Sequence, residues 1–155
     1  MDQDSNAITP ATFKDKVYIA DFFFTSCPTI CPKVKAQMLR VYDKFLDNED
    51  LILLSHSIDT KYDTVPVLKE YAEKLQIKTD KWHLVTGVKK DIYAMAKEYF
   101  IAAAEDASAP GGYTHSGGLV LVDKKRQVRG IYDGTEPEQV DQLLIDLEWL
   151  LGKDN

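Results

Sequence analysis

Only two cysteines occur in the 155 residues, positive charge is in deficit, and no stretch approaches the roughly 20 apolar residues of a membrane-crossing helix. Each shortage excludes something. A structural zinc site built on three or four cysteines has too few thiols to form. With 19 Lys and Arg against 25 Asp and Glu, the formal charge is −6. That balance argues against a phosphate-tracking nucleic-acid binder and against adhesion to anionic membranes. No basic-then-apolar opening marks a signal peptide. Met1 runs straight into Asp2-Gln3-Asp4-Ser5-Asn6, a turn composition, and we expect an export signal or anchor upstream of the chain as read. Repeats and Pro/Gly-rich linkers are absent too. One domain over residues 1–155 is the expectation, with 45% apolar residues to fill its core.

What is present reads as alternating strands and helices. Val17 to Phe24 is a nearly unbroken apolar run with the length and aromatic content of a strand covered on both faces. From Pro32, the residues Val34, Met38, Val41, Tyr42 and Phe45 form a helical stripe. Leu51 to Ile58 reads as a second buried strand. Asp63 or Thr64 can cap the next helix, with Pro66 in its first turn and Leu68, Tyr71, Ala72 and Leu75 inward. Trp82 to Val85 is a short strand, and Ile92, Met95, Ala96 and Tyr99 stripe a third helix. Ala102 to Gly118, rich in Ala, Gly, Ser and Pro, reads as an exposed loop. Leu119 to Val122 and Val128 to Tyr132 make a hairpin, and Thr135-Glu136-Pro137-Glu138 has capping-box spacing. Val140, Leu143, Leu144, Leu147 and Leu150 stripe the last helix. Crossover helices imply parallel pairing early and the hairpin adds antiparallel strands late. The expected class is α/β: a thioredoxin-like fold with a mixed central sheet, a β-hairpin and flanking helices.

The two cysteines stand in Thr25-Ser26-Cys27-Pro28-Thr29-Ile30-Cys31-Pro32, where the first strand gives way to a helix. A disulfide closing so short a loop removes little chain entropy, so a structural staple explains them poorly. A helix start favours thiolate over thiol, and a separation of four lets both sulfurs point one way. Pro28 could open the helix, or the regular helix begins only at Pro32. Two converging thiolates can take a soft metal or close into a disulfide. Burial as two small hydrophobes explains neither their pairing nor their place.

Tyr113-Thr114-His115-Ser116-Gly117-Gly118 supplies an imidazole just before a strand. Two thiolates and one imidazole would make a small, soft site suited to Cu(I) and able to hold Cu(II). Asp59 could add a ligand, which keeps zinc open. Spacing alone does not choose His115 over an ordinary exposed histidine. His56 reads as a partly buried strand residue, and His83 carries no functional claim.

The choice comes from resemblance. Phe22 to Pro32, Ser57-Ile58-Asp59 with Asp63-Thr64, Tyr71-Ala72, Trp82 with Leu84 to Gly87, and His115 ahead of Leu121-Val122-Asp123 resemble the Sco/SenC family, as do Gly130 and Tyr132 to Gly134. The resemblance implies copper held by Cys27, Cys31 and His115, with Asp59 as a supporting acidic residue nearby. It also implies a role in preparing the binuclear copper site of cytochrome c oxidase. Its partners would then be the copper-bearing oxidase subunit, with other copper chaperones or thiol reductants. Such proteins are tethered outside the inner membrane, facing the periplasm or an equivalent compartment. The alternative reading is a thiol–disulfide oxidoreductase that cycles Cys27 and Cys31, with Cys27 as the attacking thiol. It overlaps the first, because reducing a partner's ligand cysteines prepares that partner for metal. A copper sensor or a peroxidase has no further support in the residues.

Overall fold

The computed structural model describes residues 1–8, 10–25, 30–88, 90–92, 94, 103–105, 113–115 and 118–152, with backbone alone at 10, 11, 30, 31, 103–105 and 113–115. A short 3-10 turn, Pro10–Phe13, precedes strand β1, Val17–Phe23. Helix α1 spans Ile30–Lys44, strand β2 Leu51–Ser57, helix α2 Val65–Leu75 and strand β3 Trp82–Val85. Two three-residue strands follow, β4 at Ala103–Glu105 and β5 at Tyr113–His115. Strand β6 covers Gly118–Val122, strand β7 Val128–Asp133 and helix α3 Pro137–Leu151.

The main sheet has the order β3-β2-β1-β6-β7. β1, β2 and β3 are parallel, β6 runs antiparallel to β1, and β7 closes the hairpin. Every residue of β1 and β2 is buried, as expected for central strands covered on both faces. The helical stripe Val34, Met38, Val41, Tyr42 and Phe45 is buried along α1. Val140, Leu143, Leu147 and Leu150 are buried along α3, which packs beside α1. This is the expected thioredoxin-like arrangement of a mixed sheet flanked by helices.

Local expectations needed four corrections. Ala102 to Gly118 is not all loop, because β4 and β5 pair antiparallel with Ala103 opposite His115. Tyr113 and Thr114 favour extended backbone, and they pair with Glu105 and Ala104 of β4. Of the two starts expected for α1, Pro28 and Pro32, the later one does not hold, since the helix is already present at Ile30, and Pro28 lies outside the described residues. Pro32 is tolerated there because first-turn residues have no helical acceptor for an N–H. The capping box does not form: Thr135 Oγ1 donates instead to Asp133 Oδ1 at 2.6 Å, and Glu136 caps α3 without a side-chain bond. Pro137, best placed at the first helical position, moves the start one residue along. Thr64 caps α2 by backbone position alone, leaving the Asp63 carboxylate for another task. Of the third predicted helix, residues 90–92 and 94 are helical, while Met95, Ala96 and Tyr99 lie outside the described residues.

One close approach in β7 is testable. A Cβ added at Gly130 would stand 2.8 Å from the Tyr132 hydroxyl oxygen. The Tyr132 hydroxyl donates to Asp146 on α3, which restrains that ring. Gly130→Ala should therefore cost about 1–3 kcal/mol, read as a lower urea midpoint. An unchanged midpoint would show that the ring yields freely.

Candidate metal centre

Sheet topology places the site segments at one end. The β1–β6 register pairs Ala20 with Val120 and Tyr18 with Val122. Extending that ladder sets Gly118 opposite Phe22. The chain therefore enters β6 beside the point where β1 leaves for the cysteine segment. His115, the last residue of β5, precedes Gly118 by three positions. β2 is parallel to β1, with Ser57 opposite Phe23, so Asp59 and Asp63 follow at the same end. Cys31 is the second residue of α1, within the first turn whose N–H groups lack helical acceptors. Cys27 lies outside the described residues, as do the side chains of Cys31 and His115. Among the described residues no three His, Cys, Asp or Glu side chains cluster as a metal site.

Asp59 is buried at 8% exposure and is held in a tight turn. Its N–H donates to Ser57 Oγ at 3.2 Å, its Oδ1 accepts from the Tyr62 N–H at 3.3 Å, and its carbonyl accepts from the Asp63 N–H at 2.9 Å.

Asp63 is fully buried and accepts three hydrogen bonds. The Thr25 N–H donates to Oδ2 at 3.0 Å, the Thr25 hydroxyl to Oδ1, and the Ser57 hydroxyl to Oδ2 at 2.7 Å. In the sequence Asp63 stands as a candidate helix cap and as part of the stretch that resembles the family, with no partner indicated. Its contact with Thr25 crosses 38 positions, which local pattern does not reveal.

Lys35, one turn beyond Cys31 on α1, is also buried, at 2% exposure. Its Nζ donates to Asp21 Oδ2 at 2.6 Å and to Ser55 Oγ at 3.1 Å, and it lies 4.3 Å from the Phe23 ring centroid. Ser55 in turn donates to Asp21 Oδ1, and Trp82 Nε1 donates to Ser55 Oγ at 2.9 Å. A complete ion-pair network thus underlies the first turns of the cysteine helix.

The opposite sheet face holds His56, which is buried rather than partly exposed. It stacks on Phe22 with ring centroids 4.9 Å apart, and among the described residues neither ring nitrogen finds a partner. Burial pushes its pKa down from 6.5 to about 4, against the upward pull of Asp21 and with a further downward push from the chain's amino terminus. His83 instead meets the Asp2 carboxylate at 3.0 Å, consistent with a structural role.

Comparison with known proteins shows the family and the fold. The SCO1/SenC family model matches residues 1–152. A SCO1/SenC family lipoprotein from Bacillus anthracis is 27% identical, with a TM-score of 0.87, covering 97% of this chain and 90% of that one. BsSco, described with a disulfide switch as a member of the Sco family of cytochrome c oxidase assembly proteins, is 27% identical with a TM-score of 0.83 over 99% of this chain and 91% of its own. Arabidopsis thaliana ScoI with copper bound, at 22% identity, shares the fold, with a TM-score of 0.78 over 96% of this chain and 94% of its own. The chain belongs to the SCO1/SenC family.

Proposed function

We propose that this protein is a copper metallochaperone that holds one ion between Cys27, Cys31 and His115 and supports assembly of the binuclear copper site of cytochrome c oxidase. The observation that carries the reading is the sheet register: the exit of β1 toward the cysteines and the entry of β6 from His115 stand side by side. Copper is cargo in this scheme. Two thiolates suit soft Cu(I), and the imidazole completes a site that also holds Cu(II). Copper bound in the Arabidopsis ScoI structure and the oxidase-assembly role of the BsSco family support it. Asp59, fixed beside the same sheet end, supports the ligands without binding the ion. The lipoprotein relative supports an envelope location by membrane anchoring. Among the described residues, no helix is long and apolar enough to cross a membrane.

The test is a copper titration of the reduced protein followed by absorption and spin-resonance spectra. A one-to-one Cu(II) complex with sulfur-to-copper charge transfer, lost in Cys27→Ser and Cys31→Ser, is expected; its absence from the wild-type protein would sink the reading. His115→Ala should weaken Cu(II) binding more than Cu(I) binding, because two thiolates still suit the softer ion. Equal losses would refute that division of labour.

The disulfide switch described for BsSco favours a second reading, thiol–disulfide exchange by Cys27 and Cys31. His115 separates the two. Exchange with a partner disulfide should survive His115→Ala, whereas Cu(II) retention should not.

A further inference from the structure

Asp63 is a buried carboxylate that neither caps α2 nor, among the described residues, pairs with a cation. Burying such a charge is costly unless hydrogen bonds repay it, and here three donors converge on it. Two of the three come from one residue, Thr25, through its N–H and its hydroxyl. The third comes from Ser57 at the end of β2. We propose that Asp63 is a positioning residue: it clamps Thr25, and so fixes how the chain leaves β1 toward Cys27, against the β2 end that carries Asp59.

This inference rests on the copper reading and goes beyond it by assigning a residue that binds no metal. Thr25 is two positions before Cys27. Gripping both its N–H and its side chain restrains the last backbone torsions before the cysteine segment. Through Ser57 the same carboxylate is linked to the turn that orders Asp59. A site that must present two sulfurs and an imidazole in one arrangement binds more tightly when its segments are held beforehand. The benefit is larger for Cu(II), which needs all three ligands, than for Cu(I), which is content with two thiolates. The clamp also acts without metal, because holding one end of the segment favours the encounter of the two thiols.

Thr25→Val removes the hydroxyl at nearly constant shape, and Thr25→Ser restores it. Cu(II) affinity should fall about tenfold or more in Thr25→Val and return to near the wild-type value in Thr25→Ser. Cu(I) affinity should change much less. The copper-free readout is equilibrium with glutathione, in which both thiols are oxidised to the intramolecular disulfide while one glutathione disulfide is reduced to two glutathione thiols. Thr25→Val should shift that equilibrium toward the dithiol by about fivefold. Leu147→Ala, a core truncation on α3, supplies the stability control. Thr25→Ala repeats the measurements if the valine variant does not fold.

Wild-type values for Thr25→Val in both readouts would overturn the clamp. A loss of Cu(II) affinity in Leu147→Ala as large as in Thr25→Val would also overturn it, since the effect would then follow general stability. If the wild-type protein binds no copper, the copper reading falls alone, and the glutathione equilibrium still judges the clamp.

Discussion

Lys35→Met should destabilise the protein by about 3–5 kcal/mol, whereas Lys35→Met combined with Asp21→Val should lose far less. The single change keeps the length of the side chain but strands the Asp21 carboxylate at 1% exposure, with Ser55 as its remaining side-chain donor among the described residues. Removing both charges takes away the uncompensated group. It leaves the bond from Trp82 Nε1 to Ser55 Oγ in place and sacrifices about 1 kcal/mol for the unpaired Ser55 hydroxyl. The comparison is measured by urea unfolding at neutral pH. Equal losses in the single and double variants would show that the ammonium contributes packing rather than charge. The ion pair is poor evidence for stability in itself, because its desolvation offsets much of the attraction. Its contacts tie α1 at Lys35 to β1 through Asp21 and to β2 through Ser55, one turn after Cys31 along that helix.

The second large effect concerns acid. Stability should be constant above about pH 6.5, fall between about 6.5 and 4, and level off below that as far as His56 is concerned. The imidazole is neutral in the fold because burial holds its pKa near 4, while the unfolded chain protonates it at the ordinary value. The unfolded state therefore binds more protons through that window, and lowering the pH favours it. A difference of about 2.5 units corresponds to about 3 kcal/mol in total. Carboxylates contribute below the same range, so the decisive measurement is a difference. His56→Phe should abolish the decline between pH 6.5 and 5 and raise stability at neutral pH by about 1–3 kcal/mol, since it removes two buried nitrogens that find no partner among the described residues. Phe22 offers a ring to stack on, and the adjoining cavity of about 360 Å³ leaves room for the larger side chain. An identical pH profile in the variant would refute this account.

Much of the architecture was legible along the chain. The largely apolar runs that start at Val17 and Leu51 announce strands buried on both faces, and the helical stripes on α1 and α3 name their inward residues. The failures were local contests between similar energies. Thr135 preferred the Asp133 carboxylate to a helix cap, and Tyr113 and Thr114 found a partner strand inside a segment whose composition suggested a loop. At the site, the cysteine spacing and the family resemblance supplied the proposed ligand set. The roles of Asp63 and Lys35 were hidden, because a polar residue within a helical or turn pattern looks solvated until its distant partners are known.

By itself, the sequence determined which residues are apolar at strand or helix period, and which donors exist: two thiols four apart and three imidazoles, one of them ahead of a late strand. Periodicity is a local property, so it survives without knowledge of neighbours. Only the tertiary structure decided that β6 lies antiparallel beside β1, bringing residues nearly a hundred positions apart to one sheet end. It likewise decided that Lys35 and Asp63 find partners while, among the described residues, His56 does not. Whether a buried polar group meets a partner depends on strand order and register, which hydrogen-bond reach turns into an all-or-none outcome within about 3 Å.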